Sequence, residues 1–293
     1  LFTIFSYAKR MSESIGKRII RLTEVGSTNT YLKDNSELLK QHGLVVIAEM
    51  QTSGRGRAGR KFVSLPQKNV TFSVVLHPGL DLCEVQVFAL LAGIVVARVL
   101  EKYINGVRLK WPNDVLVNGK KICGILLETI KIPAQNFPVL ILGIGLNTKG
   151  FLKDYPEELQ DILTTLETEI AQNSNLIIGA EDQAALDNET VFKLLLKELE
   201  CCFEEFSKNI TTNRKADYLT DGQSALLEEW LKRSQARGRK VRSLNNVEEQ
   251  TKSSGSVGTI EGLTKEGYLQ IRTETGELLT HVSGDIIEIR EGQ

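Results

Sequence analysis

Ten residues, SGRGRAGRKF (53–62), set Arg55, Arg57, Arg60 and Lys61 among three glycines, between two apolar, strand-like runs. Glycines let backbone amides approach an anion closely, and a guanidinium offers forked donors that match phosphate or carboxylate. A basic loop after a strand is most often a solvated turn. Three glycines interleaved with three arginines favour an anion site instead. A Walker A phosphate loop is excluded, because no Gly-Lys-Ser or Gly-Lys-Thr follows at the required spacing.

A second cluster, LKWPND (109–114), brings Lys110, Asn113 and Asp114 to the end of an expected strand, beside the stiff corner Trp111-Pro112. Open α/β sheets place ligands at strand ends; alone, this cluster is slightly better read as a strand-ending turn with a satisfied asparagine, and the arginine loop is what makes it suggestive. Lys120 and Lys121 follow the Asn118-Gly119 turn and enter the apolar run ICGILLE. A lysine there ordinarily snorkels to water; the functional alternative is a cation reaching the anion that the arginines hold. GIGLN (143–147), with Gly145 and Asn147, ends another apolar strand, where paired glycines most often permit close packing.

These clusters sit in a chain of 293 residues whose 36 Lys and Arg nearly balance 37 Asp and Glu, for a net charge of −1. Such balance argues against wholesale binding to DNA or a membrane, so any basic site is local. The length suits one large domain, or a large and a small one. Cys83, Cys123, Cys201 and Cys202 form no C-x-x-C pair and read as free thiols of a reducing compartment, hence a cytoplasmic protein. His42, His77 and His281 are not near one another or a cysteine along the chain, so no permanent metal site is expected. The most apolar stretch, VFALLAGIVVARVL (87–100), is interrupted by Arg98 and too short to cross a bilayer. In the opening LFTIFSYAKR the basic residues follow the apolar ones, unlike a signal peptide, and residues 1–17 read as a leader or fragment end.

Alternation and apolar runs predict strands over 18–25, 44–51, 69–78 and 138–147. Helical spacing predicts helices over 27–42, capped by Ser27, and over 82–104 and 189–209. DVLVNGKKICGILLE (114–128) reads as a hairpin on a type I′ Asn-Gly turn. Residues 150–187 turn acidic and polar and read as a helix with a surface excursion. From 235 on, short β-runs alternate with glycine-bearing turns, as in a small SH3-like barrel. The expected fold is α+β, with a main domain over 18–234 and a small β domain over 235–293.

In this order GSTN (26–29), QTSGRGRAGR (51–60), KWPND (110–114), KICG (121–124) and GIGLN (143–147) resemble the motifs of the biotin protein ligases, or holocarboxylase synthetases. GYLQIRTETGELLTHVSGDI (267–286) resembles that family's small β domain, so the likeness covers about residues 18–293. The resemblance implies a class II aminoacyl-tRNA-synthetase-like mixed sheet, shared with lipoate ligases, followed by the SH3-like domain. It implies two steps: biotin and ATP-Mg²⁺ give biotinyl-5′-AMP and pyrophosphate, and a lysine of a biotin carboxyl carrier domain then attacks the acyl-adenylate. No Ser or Cys nucleophile is needed, because a mixed anhydride carries its own leaving group. Carboxylate and α-phosphate must meet, which requires surrounding cations, Mg²⁺ among them, and a flexible loop that closes and reopens.

Position by position, the resemblance assigns Ser27, Thr28, Asn29 and Gln51 to biotin, and Arg55, Gly56 and Arg57 to the segment that closes over biotin and its adenylate. Arg60 falls on the phosphate side, Asn113 and Asn147 on the nucleotide side, and Gly124 at a close backbone approach to biotin. Lys121 meets the activated carboxyl and phosphate, so the catalytic work falls to Lys121, Arg57 and Arg55. Lys110, Trp111, Asp114 and Gly145 are lesser candidates. Departures from the family pattern are Phe62 in place of a tryptophan, no evident aromatic for adenine after GIGLN, and a 150–187 segment that aligns with nothing. About 17 residues precede the first expected strand, too few for a helix-turn-helix, so repressor activity and nucleic-acid binding are not expected. The alternatives are a lipoate or octanoate ligase, a nucleic-acid module and a purely regulatory biotin binder; monomer and homodimer both stay open.

Overall fold

The computed structural model describes residues 15–133, 135–172, 187–207, 221–244 and 255–289. Its main sheet is built from β1 (Ile19–Val25), β2 (Val45–Gln51), β3 (Asn69–Leu76), β4 (Val107–Lys110), β5 (Asp114–Val117), β6 (Lys120–Ile130) and β7 (Val139–Asn147). These seven strands lie in the order β1-β2-β3-β7-β6-β5-β4. β1 and β2 run parallel, and all other neighbours are antiparallel. The α-helices are α1 (Thr28–Asp34), α2 (Val87–Leu100), α3 (Glu157–Gln160), α4 (Leu166–Gln172), α5 (Asn188–Ser207) and α6 (Asp221–Ser234).

Side chains alternate across a strand, so each central strand supplies two surfaces. Phe72 and Val74 of β3, Leu142, Ile144 and Leu146 of β7, and Cys123 and Ile125 of β6 enter the main core with α2, α5 and α6. A smaller cluster on the other face packs Leu32 of α1 with Val46, Val75, Val139 and Ile141. Past that cluster the same face carries Ser73, Gly143, Gly145 and Asn147, a change from branched apolar to small and polar residues. That change opens a hollow beside α1.

Leu82–Leu100 meets the length and hydropathy of a membrane span, yet its helix is the core's centre. The one charge of α2, Arg98, is ion-paired with Glu198, Glu205 and Glu229 at 3.1, 2.9 and 2.5 Å, carboxylates that α5 and α6 supply. Phe88 packs edge-on against Phe203 at 5.5 Å. A second sheet, fully antiparallel in the order β11-β10-β9-β8-β12, comprises β8 (Lys240–Leu244), β9 (Val257–Leu263), β10 (Leu269–Thr273), β11 (Leu278–His281) and β12 (Asp285–Glu288). The fold is the expected mixed-sheet α+β body with a C-terminal β unit.

Several local expectations change. The helix expected over 27–42 ends at Asp34, where Asn35 bonds its side chain to the Tyr31 carbonyl at 2.7 Å and competes with the helix; a separate turn spans Leu38–Lys40. Ser27 occupies the N-cap position without a side-chain capping bond. The helix expected from 82 starts at Val87, because Asp81 and Glu84 close a capping box around one earlier turn. The 114–128 hairpin forms as expected, with left-handed φ of 51° at Asn118 and 84° at Gly119. Of the excursion expected over 150–187, residues 150–172 hold two short helices, α3 and α4, joined by a strip that pairs with β6, and residues 173–186 lie outside the described ones. α6 was not anticipated, although Leu226, Leu227, Trp230 and Leu231 have helical spacing and are buried.

Candidate active site

The hollow beside α1 is a cavity of about 650 Å³. Ser27, Thr28, Asn29, Gln51, Arg55, Gly56, Arg57 and Arg60 line it, as do Lys110, Asn113, Asp114, Lys121, Gly124, Gly145 and Asn147. Motifs scattered over more than a hundred residues thus converge on one surface. Trp111 does not belong to it: the ring is buried, and its N–H donates to the Gly267 carbonyl at 3.2 Å. An indole that large is better used welding β4 to the C-terminal sheet than lining a wet cavity.

The floor is neutral and polar. Gln51 Oε1 accepts from the Thr28 N–H at 2.8 Å and from the Thr28 hydroxyl at 3.2 Å. Among the described residues its Nε2 has no protein partner recorded, which leaves its N–H groups to the cavity. Ser73 Oγ lies 2.6 Å from Thr28 Oγ1 and 2.5 Å from Asn29 Oδ1, fixing both. Ser73 is wholly buried and escaped sequence reasoning; a hydroxyl in the run VTFSVVL was its signal. Asn29 Nδ2 donates to Glu128 Oε2 at 2.9 Å.

Glycines make the bed. A Cβ on Gly143 would stand 2.4 Å from Asn29 Oδ1, and one on Gly145 would stand 2.6 Å from the Phe62 ring. Gly124 lies under the Lys121 ammonium, 3.3 Å from where its Cβ would be. Gly143→Ala is therefore expected to push Asn29 off its partners and weaken ligand binding about five- to thirtyfold, the loss of one or two buried hydrogen bonds at about 1 kcal/mol each. Titration calorimetry with wild-type affinity would contradict this.

Above the floor stand the cations. Lys121 Nζ meets Asp114 Oδ1 at 2.6 Å, Arg55 meets Glu128 at 3.2 Å and Arg60 meets Asp285 at 3.1 Å. Arg57 alone of these four has no carboxylate within ion-pair distance among the described residues; it reaches only the Asn113 amide oxygen, at 3.5 Å. Burial lowers the Arg57 pKa, Arg60 adds to the effect, and the more distant Asp285 and Asp114 oppose it. It is a half-buried cation in want of an anion. Within the loop the Gly56 N–H donates to the Arg60 carbonyl at 2.7 Å and the Phe62 N–H to the Gly54 carbonyl at 2.9 Å, so the loop closes as a hairpin.

At the far end, Asn113 Nδ2 donates to the Ile125 carbonyl at 2.6 Å. Asn147 donates to the Thr164 carbonyl at 3.2 Å and accepts from Asn69 at 2.9 Å, so it braces the cavity wall. The strip after α3 docks through Lys121 N–H to Ile162 O at 2.8 Å and Thr164 N–H to Lys121 O at 2.9 Å. It thereby adds Ile162 and Leu163, beside Leu159 of α3, to Leu116 as an aliphatic wall that no sequence motif signalled. Burial holds the Cys123 thiol, which also lines the cavity, well above its ordinary pKa and therefore protonated.

His42 and His77, distant in sequence, meet elsewhere: their rings lie 5.8 Å apart, and the His77 backbone N–H donates to His42 Nδ1 at 3.0 Å. No group of three or more His, Cys, Asp or Glu that could hold a metal gathers among the described residues.

Residues 22–147 match the biotin/lipoate A/B protein ligase family, and residues 247–287 match the biotin protein ligase C terminal domain. The biotin–[acetyl-CoA-carboxylase] ligase of Mycobacterium tuberculosis is 33% identical over 207 residues, 67% of this chain and 68% of that protein. The bifunctional ligase/repressor BirA of Bacillus subtilis is 28% identical over 267 residues, 90% of this chain and 72% of that one. Among solved structures, the Aquifex aeolicus biotin protein ligase in complex with biotin and ATP superposes with a TM-score of 0.69 at 28% identity, covering 94% of this chain and 100% of that one.

Proposed function

This chain belongs to the biotin protein ligase family, and we propose that its cavity grips biotin on the Thr28–Gln51 floor and joins it to AMP between Arg57 and Lys121. The activity is a ligation in two steps: ATP activates biotin as biotinyl-5′-AMP, and the biotinyl group then passes to a protein.

The observation that carries the site assignment is the order of surfaces along β7. Gly143 faces Asn29 of the neutral floor, Gly145 lies by Phe62 and pairs with Gly124 beneath Lys121, and Asn147 abuts Thr164 beside the aliphatic wall. From Gly143 to Asn147 the strand rises roughly 13 Å. Biotinyl-5′-AMP has the same order: a neutral ureido head, an anionic junction and a flat base. Ser27, Thr28, Asn29 and the Gln51 amide hold the ureido group, and Gly124 lets the chain of biotin lie close to the backbone. Arg55, Gly56 and Arg57 close over it; Arg60 and Lys110 face the leaving phosphates; Asn113 and Asn147 frame the nucleotide; Leu116 and Ile162 pack on the base.

In the first step a biotin carboxylate oxygen attacks the α-phosphorus, and the bond to the β-phosphate breaks to release pyrophosphate. Two unit negative charges 4 Å apart repel by about 4 kcal/mol at an effective dielectric of 20. Arg57 and Lys121 offset that repulsion where it arises. In the second step a neutral lysine amine attacks the carbonyl, the bond from carbonyl carbon to phosphate oxygen breaks, AMP leaves and the nitrogen's proton passes to solvent; Asp114, which lines the cavity beside Lys121, can order the amine. The M. tuberculosis relative acts on acetyl-CoA carboxylase, which supports a biotin carboxyl carrier domain as acceptor here. Mg²⁺ enters with ATP as its counter-ion, and would bridge the phosphates that Arg60 and Lys110 face. Residues 18–234 act as the ligase unit and 235–293 as a companion that reaches the site through Asp285. The free thiols fit a reducing, cytoplasmic setting.

Biotin at a hundredfold its Kd should stabilise the fold by about 2.7 kcal/mol through linkage. Differential scanning fluorimetry should show a rise in Tm with biotin and a larger one with biotin plus ATP, but none with lipoate. No rise at saturating biotin would assign the cavity to another ligand.

A further inference from the structure

We infer that Glu128 is the positioning residue that ties the arginine loop to the biotin floor, holding Arg55 of the loop together with Asn29 and Lys33 of α1 on one carboxylate. The inference rests on the biotin site described above and goes beyond it, since Glu128 does not itself line the cavity. Its place follows from strand alternation: Gly124, Leu126 and Glu128 share one face of β6, and the first two line the cavity. Asn29 and Lys33 are one turn apart on α1 and so present neighbouring groups to the same strand. Glu128 Oε1 takes Lys33 Nζ at 2.5 Å and Arg55 at 3.2 Å, while Oε2 takes Asn29 Nδ2 at 2.9 Å. Three elements meet at a side chain only 15% exposed.

Two consequences follow. Asn29 must donate toward β6, both to Glu128 and to the Leu126 carbonyl at 3.4 Å, so its oxygen is turned toward Ser73. The amide's polarity at the biotin floor is therefore set from behind. The loop is gripped at its base, because Arg55 pairs across the hairpin with Lys61, and holding Arg55 holds the segment that carries Arg57. An exposed ion pair would contribute little here, but a largely buried carboxylate shared by two cations and an amide is not easily dissolved. A lid hinged at Glu128 could lift at Arg57 while its root stays over biotin.

The test is kinetic, on the full chain, with Glu128→Gln, Arg55→Ala, the double variant and Lys33→Met. Glu128→Gln should raise KM for biotin about tenfold or more and shorten the life of bound adenylate by a similar factor, the loss of one charge-assisted hydrogen bond, with KM for ATP unchanged. The double variant should be no worse than the poorer single one, since both act through one contact. Lys33→Met, which leaves the carboxylate to Arg55, should hold adenylate at least as long as the wild type. Purely structural damage would lower kcat with the folded fraction and leave KM for biotin alone. That pattern, additive losses in the double variant, or a shortened adenylate life in Lys33→Met would each overturn the inference. Should Glu128→Gln fail to fold, the Lys33→Met and Arg55→Ala arms still decide it. An impaired Arg55→Ala beside an unaffected Glu128→Gln sinks the Glu128 role alone; wild-type behaviour in both sinks the site assignment as well.

Discussion

Lys121→Ala is expected to slow biotinyl-AMP formation by on the order of 10²–10³-fold, the usual cost of removing one donor aimed at developing charge. The ammonium stands over Gly124, 2.6 Å from Asp114, at the middle of the surface order along β7. Its removal has a second effect, because Asp114 then faces the incoming anions uncompensated. Lys121→Ala with Asp114→Asn should for that reason recover part of the rate. The strand itself should survive, since the Lys121 backbone keeps its bonds to Ile162 and Thr164 whatever the side chain. Single-turnover release of pyrophosphate measures the step; a wild-type rate in Lys121→Ala would remove Lys121 from the chemistry.

Arg57→Gly should instead leave adenylate formation largely possible and let the intermediate escape. Arg57 is the half-buried guanidinium without a carboxylate among the described residues, so the ligand's phosphate is its natural partner. Losing a charge-assisted, two-pronged contact of about 3 kcal/mol corresponds to a hundredfold faster release. The loop should keep its shape, because the bonds that close it run between backbone atoms of Gly54, Gly56, Arg57, Arg60 and Phe62. Trapping of released biotinyl-AMP by bystander amines reads the lifetime, and an unchanged lifetime would end the lid assignment. The two variants separate making the anhydride from keeping it.

Much of this was legible in the sequence because strands with branched apolar runs and an Asn-Gly turn carry their own local signals. The β5–β6 hairpin, β3 and β7 are evident from such patterns, and the motifs supply the cavity's polar and charged floor and cations, though not its aliphatic wall. What escaped was set by tertiary contact. Trp111 sits in the densest motif, yet its indole is claimed by Gly267, whose partner residue lies 156 positions away. Ser73 and Glu128 look like ordinary strand residues until α1 is laid across them. Residues 162–164, Ile-Leu-Thr, are too short a run to read as a strand, and the stretch of β6 at Lys121 that reaches past β7 gives them a ladder to join. The closed arginine hairpin likewise depends on Gly54 and Phe62 meeting, which glycine content alone does not specify.

The central claim is that one cavity makes and keeps biotinyl-5′-AMP. Incubating the protein with biotin, ATP and Mg²⁺, desalting it, and examining it by native mass spectrometry tests this directly. The account predicts a bound species with the mass of biotinyl-AMP, which disappears when a biotin carboxyl carrier domain is added as that domain gains one biotinyl group. No adduct with biotin, or an equal adduct with lipoate, would contradict it.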